Sequence, residues 1–311
     1  MRRDPASVLF FVVLAFLVSA GGCASTTTQE EGAGARPPYE PLGGPLPAGA
    51  LLRTARETSF GSMMEEVAKA EVVYVGETHD SAWHHAIQLR VIEDLYARGR
   101  LHGIGMEMFQ RPFQGVLDEY VEGRIGEEEM LKRTEYAKRW GFDVALYRPI
   151  WEFARSKRLP LIALNVSNEV RKKIREGGLD ALNEEERRDL PALYLEDAQH
   201  RAFVMEAYKG HLQPGEAVDE ANFERFYRGM CLWDDVMADG VVRWFATAPK
   251  EGQLVVLAGR GHIANRYGIP GRAFRRNGRP YATVVPLTPA ERDAEGDPGR
   301  RGYADFVWVG G

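Results

Sequence analysis

The chain has 311 residues, 44% of them hydrophobic and 27% charged, and a formal net charge of -5. That length allows one large domain or two small ones, and that composition excludes a disordered or collagenous chain. The charge balance gives no sign of a nucleic-acid partner; the basic run Arg272, Arg275, Arg276 and Arg279 is local and reads as a solvated face.

The N-terminus opens with Arg2 and Arg3, an apolar run over 8–18 and then Ser-Ala-Gly-Gly-Cys at 19–23. This reads as a signal peptide over residues 1–22, too short to span a bilayer comfortably. The cysteine at the cleavage point resembles the lipobox of bacterial lipoproteins, although Ala20 stands where leucine is more usual. Export with acylation of Cys23 is expected, followed over 24–48 by a flexible Thr, Glu, Gly and Pro tether. The other cysteine, Cys231, lies in an apolar helical run and is expected as a small core residue rather than half of a disulfide.

Next come alternating elements. Helical spacing over 60–70 precedes a strand at 72–75, then a helix over about 81–98 with Trp83, Ile87, Val91 and Leu95 along one side, ended by Gly99. A strand at 102–106 runs directly into Glu107. Helices are expected at 113–121 and 126–139, with another starting near Pro149, which suits a first helical position. A strand at 160–164 ends in Asn165. From 168 to about 237 the pattern is helical, with Asn168 as N-cap, Gly177-Gly178 as a stop, a capping-box variant at Asn183 and Glu186, and a long aromatic-striped helix from Phe223 to Val236. A buried strand over 253–258 opens into Gly259-Arg260-Gly261-His262, and late strands at 281–285 and 305–309 are expected at a sheet edge. Strands separated by helices predict an α/β fold: a mostly parallel sheet flanked by helices, one domain over 49–311 with a helical insertion at about 168–245.

Four of the expected parallel strands end in polar residues: Glu77 with His79, Glu107, Asn165 and His262. In an open α/β sheet such ends share one edge, so these residues are expected in one cleft. Two imidazoles and two carboxylates suit zinc or another divalent metal with a position left for water, although no strong zinc signature is present. Metal-free acid-base work by a Glu and His pair is the other chemistry open to them, and helix capping is the bland alternative for His79 and Asp80. A serine nucleophile is unsupported, since no G-x-S-x-G occurs. The G-x-G-x-x-A match at Gly259 to Ala264 is discounted as a dinucleotide site, because Gly268 and Pro270 interrupt a helix there and a strand occupies the acid's place.

Taken in order, Val-Gly-Glu-Thr-His with His84, His85 and Gln88, then Gly-Met-Glu-Met-Phe-Gln-Arg-Pro, Leu-Tyr-Arg-Pro-Ile, Ile-Ala-Leu-Asn, Leu-Trp-Asp-Asp-Val-Met-Ala and Gly-Arg-Gly-His-Ile with Gly-Ile-Pro resemble the ChaN-type haem-binding lipoproteins. More faintly, the chain resembles Tiki-type peptidases and erythromycin-esterase-like enzymes. The ChaN resemblance implies haem held between two subunits of a homodimer, an iron ligated by tyrosine, and propionates held by a histidine and a lysine. It also implies an outer-membrane lipoprotein serving haem iron uptake or storage, with an outer-membrane haem receptor as partner. Tyr147 is the first choice for the iron and Tyr267 the second; Arg148 would favour a Tyr147 phenolate if it points the same way. His84 or His85 and Lys138 are the propionate candidates. Asn265 and Arg266 depart from the tyrosine and glycine expected in that loop. The rival expectation is a metal-dependent hydrolase using Glu77, His79, Glu107 and His262, and a third is a structural envelope lipoprotein with a vestigial pocket.

Overall fold

A computed structural model describes residues 50–53, 56–213, 215–249, 251–296 and 302–311. The expected signal peptide, Cys23 and the tether lie outside the described residues.

The chain is an α/β protein with one eight-stranded sheet. Its elements run β1 (Ala50–Arg53), β2 (Arg56–Glu57), α1 (Phe60–Val67), β3 (Val72–Glu77), α2 (Ala82–Ala97), β4 (Leu101–Gln110), α3 (Gln114–Val121), α4 (Glu127–Arg133), α5 (Tyr136–Arg139), α6 (Val144–Lys157) and β5 (Leu161–Asn165). They continue with α7 (Asn168–Gly177), α8 (Glu184–Asp189), α9 (Ala198–Lys209), α10 (Glu220–Thr247), β6 (Gln253–Gly259), α11 (Ile269–Asn277), β7 (Tyr281–Leu287), α12 (Pro289–Glu295) and β8 (Phe306–Val309). The strand order is β2-β1-β8-β7-β3-β6-β4-β5. The pairs from β8 to β5 are all parallel, and β1 pairs antiparallel with both β8 and β2.

Parallel strands covered on both faces are buried along their whole length and apolar through their middle, and β3 and β6 are. Val73, Val75, Val255 and Leu257 face the layer of α1 to α6, whereas Val72, Tyr74, Leu254 and Val256 face α10 and α11. Alternation along each strand thus feeds two cores from one sequence run.

Several boundaries differ from the sequence reading for local reasons. The helix expected over 126–139 is broken into α4 and α5, because Glu135 adopts a left-handed φ of 51°. Pro149 lies inside α6, whose N-cap is Asp143, rather than at the helix start. Ser167, not Asn168, caps α7, accepting a hydrogen bond from the Val170 N–H. The capping box at Asn183 and Glu186 is present, with both reciprocal hydrogen bonds. The two late strands lie inside the sheet, since β1 pairs against β8 and covers the edge expected to be free. Between β5 and β6 the described residues carry α7 to α10 and no strand.

Candidate functional site

The sheet order, not the chain order, builds the site. β6 lies between β3 and β4, so the C-terminal ends of three strands deliver Glu77, Gly259 and Glu107 side by side. β3 ends at Glu77, and the next turn places His79 with its Nδ1 2.6 Å from Glu77 Oε1. Glu107 falls inside β4 rather than after it. Pairing of β4 with β6 stops at Met106, pairing with β5 resumes only at Gln110, and Glu107 sits in that irregular stretch. Glu107 Oε2 accepts a hydrogen bond from the Gly259 N–H at 2.6 Å. A side chain at Gly259 would bring its Cβ 2.9 Å from His79 Cε1, so only glycine lets the His79 ring close over the end of β6.

Glu77, His79 and Glu107 each offer one ligand atom, and these atoms lie within 4.8 Å of one another. His262 follows through a 3-10 turn over Arg260–His262, with Nε2 3.4 Å from Glu107 Oε1. Asn165 donates from Nδ2 to the Glu107 carbonyl oxygen at 3.0 Å. All five expected cleft residues therefore meet, and all are buried, with His79 only 5% exposed. Trp140 and Phe142 cover the His79 ring, at centroid distances of 4.6 and 4.9 Å.

The cluster continues where sequence reading did not follow it. His262 Nδ1 lies 2.7 Å from Asp234 Oδ1, and Asp234 Oδ2 lies 3.2 Å from His200 Nε2. The His200 Nδ1 accepts a hydrogen bond from Arg272 Nη2 at 3.0 Å, which places the ring proton on Nε2, toward Asp234. Arg272 in turn donates to Asp235 Oδ2 at 2.5 Å. Arg272, expected on a solvated face, is 1% exposed, because two adjacent carboxylates on α10 compensate its charge. Two adjacent acids inside the apolar run from Met230 to Ala238 were the available signal for this. A second missed group is Glu291, which accepts from Thr78 Oγ1 at 2.6 Å and pairs with Arg260 at 2.7 Å. Its signal was the capping box that Thr288 and Glu291 form at the start of α12.

Of the haem candidates, Tyr147, His84 and His85 pack against the turn that carries His79, and Tyr267 and Lys138 are less buried. Tyr147 is fully buried, stacks on Trp151 and donates its hydroxyl to the His79 carbonyl oxygen at 3.2 Å. Burial pushes its phenol far above the ordinary range, so this tyrosine is held neutral. Arg148 turns away to pair with Glu127 at 2.9 Å. The buried His84 accepts from the Thr78 N–H at 2.9 Å, and the buried His85 bonds Gln88 and the His79 carbonyl oxygen, so both rings brace the turn after β3. Tyr267 is half-buried against Phe203, and its hydroxyl makes no hydrogen bond among the described residues. Lys138 is exposed beside Glu135. Asn265 and Arg266 both adopt positive φ, of 57° and 63°.

The charges of the cluster are mutually dependent. Burial alone would lower His262, but Glu107 and Asp234 outweigh it and push His262 up to about 10. Burial likewise opposes charge on Asp234, Glu107 and His79, yet His262 and His200 hold Asp234 below its ordinary range, His262 and His79 lower Glu107, and Glu77 raises His79. A raised histidine contributes stability that is complete below its ordinary pKa and lost as pH rises through the folded value; lowered carboxylates contribute above theirs and lose it in acid. Stability is therefore expected to peak between about pH 4.5 and 6.5 and to fall steadily from 6.5 toward 10. A melting temperature that stays flat from pH 6.5 to 10 would contradict this assignment.

The mostly parallel sheet thus pools carboxylates and imidazoles at neighbouring strand ends. The family described as "Haem-binding uptake, Tiki superfamily, ChaN" matches residues 63–272. The chain belongs to this family. It is similar in fold to ChaN of Campylobacter jejuni, a structure of cofacial heme binding, with a TM-score of 0.60, 18% identity, and coverage of 84% of this chain and 96% of that one. A mutant of the erythromycin esterase EreC matches with a TM-score of 0.46 and 15% identity over 78% of this chain and 77% of its own. The type III effector HopBA1 matches at 0.45 and 11%, over 86% and 98%. No curated protein sequence matches the chain.

Proposed function

We propose that the protein binds haem and serves haem iron uptake or storage, tied to the outer membrane through acylated Cys23. Family membership across residues 63–272 is the observation that carries this reading. Haem, when bound, supplies a ferric centre, and an anionic phenolate favours holding ferric iron over cycling it. We assign Tyr267 to the iron, because its hydroxyl has no partner among the described residues whereas that of Tyr147 is buried and engaged. Lys138 is the exposed propionate candidate, since His84 and His85 are both enclosed.

Titrating the purified chain with hemin is expected to raise a Soret band at one haem per chain and to shift monomer to dimer. Tyr267→Phe should weaken binding by about tenfold or more, roughly 1.4 kcal/mol, and remove the phenolate charge-transfer band. Tyr147→Phe should leave haem affinity alone while costing about 1 kcal/mol of stability for the lost hydrogen bond. Hemin that elicits no band, or a Tyr267→Phe spectrum identical to that of the parent, counts against the assignment.

The second reading is a metal-dependent hydrolase, favoured by one observation: Glu77 Oε2 is buried with no hydrogen-bond partner among the described residues. A divalent cation held by Glu77, His79 and Glu107 would satisfy such a donor set and supply Lewis acidity. His262, oriented by Asp234, would hold or move a proton beside it. Elemental analysis should then find about one zinc or manganese per chain, retained through gel filtration and lost in Glu77→Gln. A chain that carries no metal after growth in zinc and manganese would remove this reading and leave the haem reading intact.

A further inference from the structure

Beyond the strand-end cluster, α7, α8, the segment over 190–195 and the N-terminal half of α10 enclose a cavity of about 710 Å³. This is the size of a small-molecule site. Its walls are largely apolar, with Leu182, Phe226, Met230 and Trp233 among them, and no aspartate or glutamate lines it. Every charged residue that does is an arginine: Arg171, Arg175, Arg187, Arg225 and Arg228.

These arginines are poorly compensated. Arg187 bonds the Leu182 and Asp180 carbonyl oxygens and lies 3.8 Å from the Asp180 carboxylate, and Arg175 lies no nearer than 3.8 Å to a carboxylate, that of its neighbour Glu176. Arg171, Arg225 and Arg228 have no carboxylate partner among the described residues; Arg171 reaches only Asn168 Oδ1 and lies 3.8 Å over the Trp233 ring. Burial, then Arg175, push Arg171 down to about 10, so it remains charged at neutral pH. Cations with no close carboxylate around an apolar hollow leave unmet a group that would both fill the hollow and neutralise its rim.

We propose that this cavity binds an amphipathic carboxylate, its apolar body among Leu182, Phe226 and Trp233 and its carboxylate paired with the arginines. Such chemistry has two sources, a long-chain fatty acid or a porphyrin carrying propionates. The inference stands apart from the assignment of Tyr267, and a haem bound elsewhere would leave it untouched.

The test measures binding of oleate, of oleyl alcohol as its uncharged analogue, and of hemin to the purified chain. Gly229 lines the cavity, and a Cβ there meets nothing within 4 Å, so Gly229→Leu adds a side chain in open space. Arg225→Gln with Arg228→Gln removes two exposed rim charges. Oleate is expected to bind at least about tenfold tighter than oleyl alcohol, to lose that advantage in the double arginine variant, and to be excluded by Gly229→Leu at a melting temperature no lower than that of the parent. Hemin that competes with oleate and is also excluded by Gly229→Leu identifies the porphyrin as an occupant and supports the proposal. Equal binding of acid and alcohol overturns it, as does oleate binding that Gly229→Leu leaves intact. A dimer of the chain that shuts oleate out in favour of a second copy overturns it too.

Discussion

Asp234→Ala is expected to destabilise the protein by about 3–5 kcal/mol, the cost of removing one partner from a buried charge pair. Asp234 is fully buried on α10 and lies 2.7 Å from His262 and 3.2 Å from His200. Its removal leaves His262, held protonated up to about 10, with Glu107 alone at 3.4 Å. A single domain is typically stable by only about 5–15 kcal/mol, so the variant should lose a third or more of its margin. Urea unfolding should show a lower midpoint at an unchanged slope. Asp234→Asn, which keeps an oxygen for the His262 N–H, should recover part of the loss. A cost below about 1 kcal/mol for the alanine variant would mean that water or rearrangement replaces the carboxylate.

Gly268→Ala should be nearly as damaging for a steric reason. A Cβ at Gly268 would stand 2.3 Å from the His262 carbonyl oxygen and 2.8 Å from Asp234 Oδ1. The first contact is with backbone, which cannot swing aside as a flexible side chain can. Overpacking of this kind costs typically about 1–3 kcal/mol, occasionally more, and here the displacement would also pull apart the His262 and Asp234 pair. Gly115→Ala is the control: it lies in α3 with nothing within 4 Å of an added Cβ, and should stabilise by up to about 1 kcal/mol. Thermal melts of both variants read the difference directly. Equal melting temperatures would show that the turn after His262 yields freely.

How far the sequence disclosed this depends on whether a feature is local. A run such as Val72 to Val75, apolar at every position and followed by Gly76-Glu77, can hardly be anything but a buried parallel strand with its polar end at the sheet rim. That logic brought Glu77, His79, Glu107, Asn165 and His262 together, as the fold does. Strand order was not legible, since nothing in β3 and β4 announces that β6 will separate them. Asp234 and His200 escaped because their partners approach from another element across the sheet edge, and a helical period does not distinguish a buried acid from an exposed one. Arg272 was misjudged for the same reason: charge reads as surface until Asp235 is seen beside it. Tyr147 shows the converse, a motif residue whose hydroxyl serves the backbone of the turn after β3.

The 28-residue length of α10 carries a thermodynamic consequence. Its first half packs with α9 around Phe223 and Tyr227, while its second half packs on the sheet through Met237 and Val241. Asp234 and Asp235 fasten the midpoint to His262 and Arg272, from the segment between β6 and β7. Local opening of the outer helices can therefore spread inward only as far as this fastening, beyond which it becomes global unfolding. Amide protons at the two ends of one continuous helix should then exchange from separate cooperative units, the early turns at a subglobal free energy and the late turns at that of the whole molecule.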